Sequence, residues 1–386
     1  MTTVLVTGAT GFIGGAALAQ GLSGGLADRW LCLVRAPDLG QAEQRLFGNL
    51  ARFMGAEDAR QALADRVTVI PADLAGLASI ESAELDDVTH ILHLAADTSF
   101  RARGNCHLVN VGGTRALASR ARRMRKLSRF VYGGTAMICG ANPPPLVVES
   151  DYPSSSVEHL VSYTSSKVEA ERMLRTEFGD LPIVVARPSI VTGHSVLGCR
   201  PSGSIFWMFR AGDRLRLVSG DIAGGIDVVP VDWAADMMLG LLFKPMLAYD
   251  VYHLSAGVAR CTSWNELAGA FQRCDAAGGP RRYTEFKSGD RQLLRTRFER
   301  AFGLDTALQT AMMRAMRAYY EFGALGVVFS NDRLVSEGFR LPPSLPSYLD
   351  TCLAQPAGLS IIDQFADDVG MFDAAGETLL RVRPAA

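Results

Sequence analysis

The sequence has no surplus of charge of either sign. Its 39 Lys and Arg residues stand against 40 Asp and Glu, for a net charge of -1, so the charge balance gives no reason to expect nucleic acid or an anionic membrane as a partner. It also lacks any Cys-x-x-Cys pair. The seven cysteines, at positions 32, 106, 139, 199, 261, 274 and 352, are scattered and odd in number, which argues against a disulfide framework and a zinc site and fits a reducing compartment. The six histidines contain no His-Glu-x-x-His, so no catalytic metal is expected. No apolar run approaches the ~18 residues of a spanning helix, so no transmembrane segment is expected. An apolar strand pattern begins within three residues of Met1, leaving no room for a signal peptide in the sequence given. There is no internal repeat and no low-complexity tract. With 48% hydrophobic and 20% charged residues, the 386-residue chain reads as an ordinary cytoplasmic globular protein with ample length for a core.

What is present begins at once. Val4-Leu5-Val6 reads as a buried parallel strand, and Phe12 to Leu22 as the helix that it feeds. Between them runs Thr7-Gly8-Ala9-Thr10-Gly11-Phe12-Ile13-Gly14. Three glycines let the backbone turn tightly and let a helix N-terminus approach a pyrophosphate, whose charge the free amides and the helix dipole stabilise. A glycine triplet alone is a weak signal. The flanking strand and helix are the context that makes it a dinucleotide site.

A second strand, Trp30 to Val34, ends at Arg35, where a dinucleotide fold meets the adenosine ribose. An acidic residue there favours a free 2′-hydroxyl, whereas a guanidinium suits a 2′-phosphate, so Arg35 argues for NADPH. The bland alternative is a solvated loop arginine, with Asp38 close enough in sequence to pair with it. A helix over Gln41 to Arg60 carries Arg45, a candidate second phosphate ligand. Val67 to Ala72 reads as the third strand, and Asp73-Leu74 after it would sit beside the adenine, unless Asp73 is simply a helix cap. His90 to Leu94 is the fourth strand. Ala95 and Ala96 at its end are small enough for backbone to pass close to a ligand, and His93 reads as a packing histidine. The next helix, Cys106 to Met124, holds Asn110, which can kink it or bridge its backbone to catalytic groups; the alternative is a polar residue at a helix start. Arg129 to Tyr132 is the fifth strand, closed by Gly133-Gly134-Thr135-Ala136; a helix over Val157 to Phe178 and a strand over Ile183 to Ala186 follow. Asn142-Pro143-Pro144-Pro145 is a stiff connector. Past Gly193 the alternation is lost until Ile226 to Val231 and Val251 to Leu254, both expected to return to the sheet around a helix over Trp233 to Phe243. The remainder reads as mostly helical, with Met312, Met313, Met316, Tyr319, Tyr320 and Phe322 as a core stripe whose thioethers would also suit an acyl chain. The last dozen residues are expected to be disordered.

The chemistry lies in Tyr163-Thr164-Ser165-Ser166-Lys167. Tyr163 and Lys167, four apart, emerge from one helix face. A neighbouring ammonium would favour the phenolate and bring the phenol toward working pH as an acid–base group. The lysine would also hold the nicotinamide ribose. Thr135, on a neighbouring strand end, would stabilise charge on a substrate oxygen. With nine tyrosines and four lysines, Tyr-x-x-x-Lys arises by chance in roughly one such sequence in ten, so the pair gains its weight from the glycine turn and Thr135.

These residues together resemble the extended short-chain dehydrogenase/reductases. Within them the chain looks most like the NADPH-dependent acyl-thioester reductases: fatty acyl-CoA reductases (the male sterility family) and the terminal reductase domains of carboxylic acid reductases and peptide synthetases. The likeness spans about residues 3 to 255. It rests on the glycine turn, Leu33-Val34-Arg35-Ala36 with Arg45-Leu46, and His93 to Phe100 with Asn110-Val111-x-Gly113-Thr114. Tyr163-x-x-x-Lys167 with Glu171, and Arg187-Pro188-Ser189-Ile190-Val191-x-Gly193-His194-Ser195, complete it. One departure stands out: the family's Ser-Thr-Ala is Gly134-Thr135-Ala136 here. The resemblance implies an α/β fold, a Rossmann-type doubly wound parallel sheet with a smaller, mostly helical C-terminal substrate domain. On that reading residues 1–195, with 222–255 returning, bind NADPH, and residues 196–221 and 256–386 bind substrate. It implies that Arg35 and Arg45 meet the 2′-phosphate, that Pro188, Ser189 and Ile190 join the cofactor residues, and that the substrate is a small-molecule acyl thioester on coenzyme A or an acyl carrier protein, reduced to aldehyde and then to alcohol if a second hydride is delivered. Alternatives are an alcohol or ketone oxidoreductase of the hydroxysteroid dehydrogenase type, a nucleotide-sugar epimerase or dehydratase, and a non-catalytic NADPH-sensing protein.

Overall fold

Side chains at alternate positions of a strand leave on opposite faces, and here both faces are apolar. In the computed structural model, which describes residues 1–80, 82–98, 106–275, 280–287, 289–354 and 359–368, seven strands use that pattern to make one parallel sheet. They are β1 (Thr3–Thr7), β2 (Arg29–Val34), β3 (Val67–Pro71), β4 (His90–His93), β5 (Arg129–Gly133), β6 (Ile183–Pro188) and β7 (Val251–Leu254), in the order β3-β2-β1-β4-β5-β6-β7. Every neighbouring pair is parallel. Val4, Val6, Trp30, Cys32 and Val34 bury on one face, under α1 (Phe12–Ser23), α2 (Leu39–Met54) and α3 (Ala56–Arg66). Leu5, Leu31, Leu33, Phe130 and Tyr132 bury on the other, under α4 (Thr114–Ala121) and α5 (Ser162–Glu177). A further helix, α6 (Val231–Phe243), packs with α1 on the first face. This is the doubly wound arrangement that the family resemblance implies.

The chain clusters into two compact units: residues 1–191, 225–262 and 325–345 in one, and 192–224, 263–324 and 346–386 in the other. The second unit is mostly helical, with Phe206–Leu215, Trp264–Cys274, Arg291–Phe302, Ala307–Gly323 and Ile361–Asp368. Trp207, Phe286, Phe298, Met312, Met316, Tyr320 and Phe365 form its core, so the methionine and aromatic stripe is largely packing. Two of its helices start with capping boxes, Ser263 with Glu266 and Thr306 with Gln309. Among the described residues no helix is long and apolar enough to cross a membrane.

Several boundaries differ from expectation. The helix expected over Gln41 to Arg60 is broken at Gly55, whose φ of 90° closes α2 and opens α3. The helix expected from Val157 begins only at Ser162, which places Tyr163 in its first turn. The helix expected from Cys106 opens with a π-helical turn, His107–Gly113, before α4. Val228–Val229 does not join the main sheet. It pairs with Ile190–Val191 instead, and Pro230, which cannot donate to a ladder and suits a helix start, ends the run at α6. Ser99, Phe100 and the last dozen residues lie outside the described set.

Candidate active site

The order of the sheet reverses between β1 and β4, and the segments that leave these two strands form the crevice in which such folds hold ligands. Gly8 leaves β1 with φ 80°, and a Cβ there would lie 2.6 Å from the Ala95 amide nitrogen. A Cβ on Gly14 would overlap the Gly8 carbonyl oxygen and lie 2.7 Å from its carbon. Gly11 donates to the Gly8 carbonyl at 2.9 Å and is the N-cap of α1, with no side-chain cap and no acidic residue in the first turn. Amides of that turn have no intrahelical acceptor, so the helix end suits an anion. Thr10, Phe12 and Ile13 line the same turn, each partly buried. Sequence reasoning missed Asn49 of α2, whose Nδ2 donates to the carbonyls of Ala9 at 2.9 Å and Gly11 at 3.1 Å. An asparagine mid-helix carries no signal without knowing what it faces.

At the end of β2, Arg35 and Arg45 are both exposed and meet, the Arg45 guanidinium donating to the Arg35 carbonyl. Asp38 does not serve as a partner for Arg35 here. It caps α2, accepting from the Gln41 amide at 2.8 Å and its side chain at 2.7 Å. Asp73 likewise caps a short turn, accepting from Gly76 N at 2.7 Å. Leu74 is buried against Gly113, where a Cβ would come within 2.7 Å of Leu74 Cδ1. Ala95 donates its amide to Thr7 Oγ1 at 3.2 Å, and Ala96 is partly buried beside it. His93 is a core residue: its ring bridges Thr7 and Thr114 at 2.6 and 2.9 Å, and burial holds its pKa down to about 3.

Thr135, Tyr163 and Lys167 come together from β5 and α5. The Tyr163 phenol hydrogen-bonds the Thr135 hydroxyl, which also accepts from Met137 N at 3.3 Å. Lys167 Nζ donates to the Gly133 carbonyl at 2.7 Å. The electrostatics correct one expectation. Tyr163 is not brought toward neutral pH; burial pushes it up to about 12, and the Thr135 hydrogen bond opposes this only in part. Burial lowers Lys167 to about 8, opposed by Glu171 one turn further along α5.

Behind these groups stands a buried frame. Asn110, 1% exposed within the π-helical turn, accepts from Asp97 N at 2.8 Å and donates to Asp97 O at 3.0 Å and Ser166 Oγ at 2.9 Å. It thus ties the segment after β4 to α5, and its amide is spent on protein partners. Glu171 pairs with Arg187 of β6 at 2.6 Å, both fully buried, and Arg175 joins at 3.1 Å. Pro188 ends β6, Ser189 donates its amide to Leu254 O at 3.0 Å, and Ile190 donates to Asp227 O at 3.3 Å. The family's missing serine is not excluded by space: a Cβ at Gly134 would make ordinary contacts of 3.4 Å with Arg187 and Val185.

A family model described as "Male sterility protein" matches residues 6–238. Aldehyde reductase lnaA of Aspergillus flavus is 29% identical over 276 residues, 65% of this chain and 25% of its own length. Human fatty acyl-CoA reductase 2 is 23% identical over 312 residues, 69% of this chain and 60% of its own length. The chain therefore spans about a quarter of the first relative and under two thirds of the second. Among solved structures, the terminal R domain from the myxalamid PKS-NRPS biosynthetic pathway superposes with a TM-score of 0.75 at 22% identity, covering 93% of this chain and 91% of that one.

Proposed function

The chain belongs to the male sterility family of NAD(P)-binding reductases, and from that footing we propose that it reduces an acyl thioester to an aldehyde, and onward to an alcohol if a second hydride is delivered, using NADPH. The observation that carries the proposal is the meeting of Thr135, Tyr163 and Lys167 at the end of β5, in the sheet whose glycine cradle opens at β1. The residues present fit a dinucleotide: a cradle that any Cβ would fill, and an uncapped helix end. Gly8, Thr10, Gly11, Phe12, Ile13 and Gly14 would take the pyrophosphate, and Arg35 with Arg45 the 2′-phosphate. Asp73 and Leu74 would flank the adenine, Ala95, Ala96, Pro188, Ser189 and Ile190 would line the remainder, and Asn110 would act by positioning α5. A bound NADPH supplies hydride. Tyr163 and Thr135 would donate hydrogen bonds to the thioester oxygen as negative charge builds on it; the carbonyl then re-forms as the C–S bond breaks and the thiol leaves with a proton, and Lys167 would hold the ribose. A phenol held protonated is the right form for a reduction, since it must donate to an oxyanion. We assign acyl selection to residues 196–221 and 256–386, and take the thioester to be carried by coenzyme A or an acyl carrier protein.

The test is NADPH oxidation with a panel of acyl-CoA and carrier-bound thioesters, with identification of the aldehyde or alcohol. No oxidation with any thioester, together with NADP⁺-dependent oxidation of alcohols, would replace this reading by the alcohol dehydrogenase one. Arg35→Ala tests the cofactor choice. Removing a charged fork on a phosphate is expected to raise KM for NADPH roughly 10- to 100-fold and to leave KM for NADH nearly unchanged. Equal effects on both cofactors would remove Arg35 from the phosphate site.

A further inference from the structure

A lysine ammonium in a protein interior needs more than one partner, because it has three donors and a large desolvation cost. Lys167 is 3% exposed, and one donor goes to the Gly133 carbonyl at 2.7 Å. Its second neighbour is the face of Tyr132, whose ring centroid lies 4.9 Å from Nζ. Tyr132 itself is 1% exposed. Its ring is backed by His93, at 5.7 Å between centroids, and its hydroxyl has no hydrogen-bond partner among the described residues. A buried phenol that forgoes its hydrogen bond normally costs stability, so what the ring contributes here is its face.

We infer that Tyr132 is a positioning residue for the proposed reaction, its π face seating the Lys167 ammonium and aiming it from beneath while the Gly133 carbonyl holds it from the side. The inference deepens the reading of Lys167 as a site residue and rests on that reading. The distance lies within the range in which an aromatic face attracts an ammonium, and the attraction is larger where water is excluded. The other groups around Lys167 do not replace this seat. His93 on β4 is neutral, and Tyr163 on α5, with Cys106 near it, is a neutral phenol. Glu171 on α5 is the facing charge that favours the ammonium, and it is shared with Arg187 of β6 and with Arg175. Burial lowers Lys167 to about 8 and Glu171 opposes this; the ring face adds to the same side as Glu171, favouring the ammonium. Position 132 lies in a strand pattern where an aromatic residue needs no explanation, so the sequence alone gives no sign of this role.

The ring can be tested without changing its shape. Phenylalanine and its 3,5-difluoro and pentafluoro analogues at position 132 keep the volume and progressively weaken the negative face. With four lysines in the chain, the Lys167 signal of lysine-labelled protein is assigned in NMR spectra against Lys167→Met, and its titration is followed without substrate. Tyr132→Phe is expected to leave the titration nearly unchanged, and the pentafluoro ring to lower it by roughly one pH unit. The alkaline limb of turnover should move to lower pH by the same amount, because the form lost is the ammonium. Tyr132→Leu should lose roughly tenfold in turnover at pH 8 and recover as the pH falls, with Tyr132→Phe restoring it. A Lys167 titration that is constant across the fluorinated series overturns the seat. A titration that moves while the pH–rate limb stays still overturns its part in the reaction. If no variant and no wild-type protein turns over a thioester, the NMR series still decides the seat, and the failure belongs to the proposed function.

Discussion

Tyr163→Phe is expected to lower thioester turnover by about 10³-fold while leaving NADPH affinity within a few-fold of the parent. The phenol is buried and hydrogen-bonded to Thr135, with its pKa raised to about 12, so at any working pH it is a neutral donor. Its proposed task is to meet oxygen as charge develops there. An interaction made chiefly in the transition state appears in kcat rather than in cofactor binding. Phenylalanine keeps the ring in its place on α5 and removes only the donor. Thr135 remains, which is why a residual rate should survive. The measurement is steady-state turnover beside a fluorescence titration of NADPH. A variant retaining more than about a tenth of the parental rate would remove Tyr163 from the chemistry. The high pKa gives a second expectation: no acid limb in the kcat profile should track this residue, because protonating it further is not available below 12.

Gly14→Ala should be nearly as damaging, by another route. The added methyl would overlap the Gly8 carbonyl oxygen and sit 2.7 Å from its carbon, and both belong to backbone that cannot swing away as a side chain would. Moving Gly8 in turn disturbs Ala95, since these segments already touch where β1 and β4 end. The variant is expected to lose at least about 100-fold in NADPH affinity and about 1–3 kcal/mol of stability, read by titration and by denaturant unfolding. Gly48→Ala is the contrast. It lies within α2, an added Cβ there has nothing within 4 Å, and alanine in a helix should stabilise by about 0.5–1 kcal/mol with cofactor affinity unchanged. If the two substitutions affect NADPH alike, the cradle at Gly14 is not where the pyrophosphate rests.

Both substitutions concern residues that could be singled out from the sequence. Gly14 belongs to a turn whose spacing is local, and Tyr163 stands one helical turn from Lys167, so each reports its geometry through nearest neighbours along the chain. The strands were readable for the same reason: Val4, Leu5 and Val6 are apolar in succession because both faces of the sheet are covered. Helix limits were less readable. Val157 to Val161 has the composition of a helix, yet the chain there pairs with the segment at 141, where the Ala141 amide donates to the Glu158 carbonyl at 2.9 Å, and α5 starts only afterwards.

What the amino acids alone supplied is the set of candidate groups: a glycine turn proposed for a pyrophosphate, arginines proposed for a phosphate, and a phenol, hydroxyl and ammonium proposed for a carbonyl. Only the tertiary structure decided how those groups behave. It broke the 41–60 helix at Gly55, sent Val228–Val229 to Ile190–Val191, placed Asn49 under the cradle and Tyr132 under Lys167, and used Asp38 and Asp73 as caps. It also reversed the expected shift of Tyr163, because burial raises the phenol and the Thr135 hydrogen bond opposes this only in part. The two caps and the break at Gly55 act within a few residues; for the others the physical reason is shared. Spacing along the chain records neighbours within a few residues, whereas desolvation and packing depend on partners tens of residues away, such as Gly133 beside Lys167 or Asn49 beside Ala9.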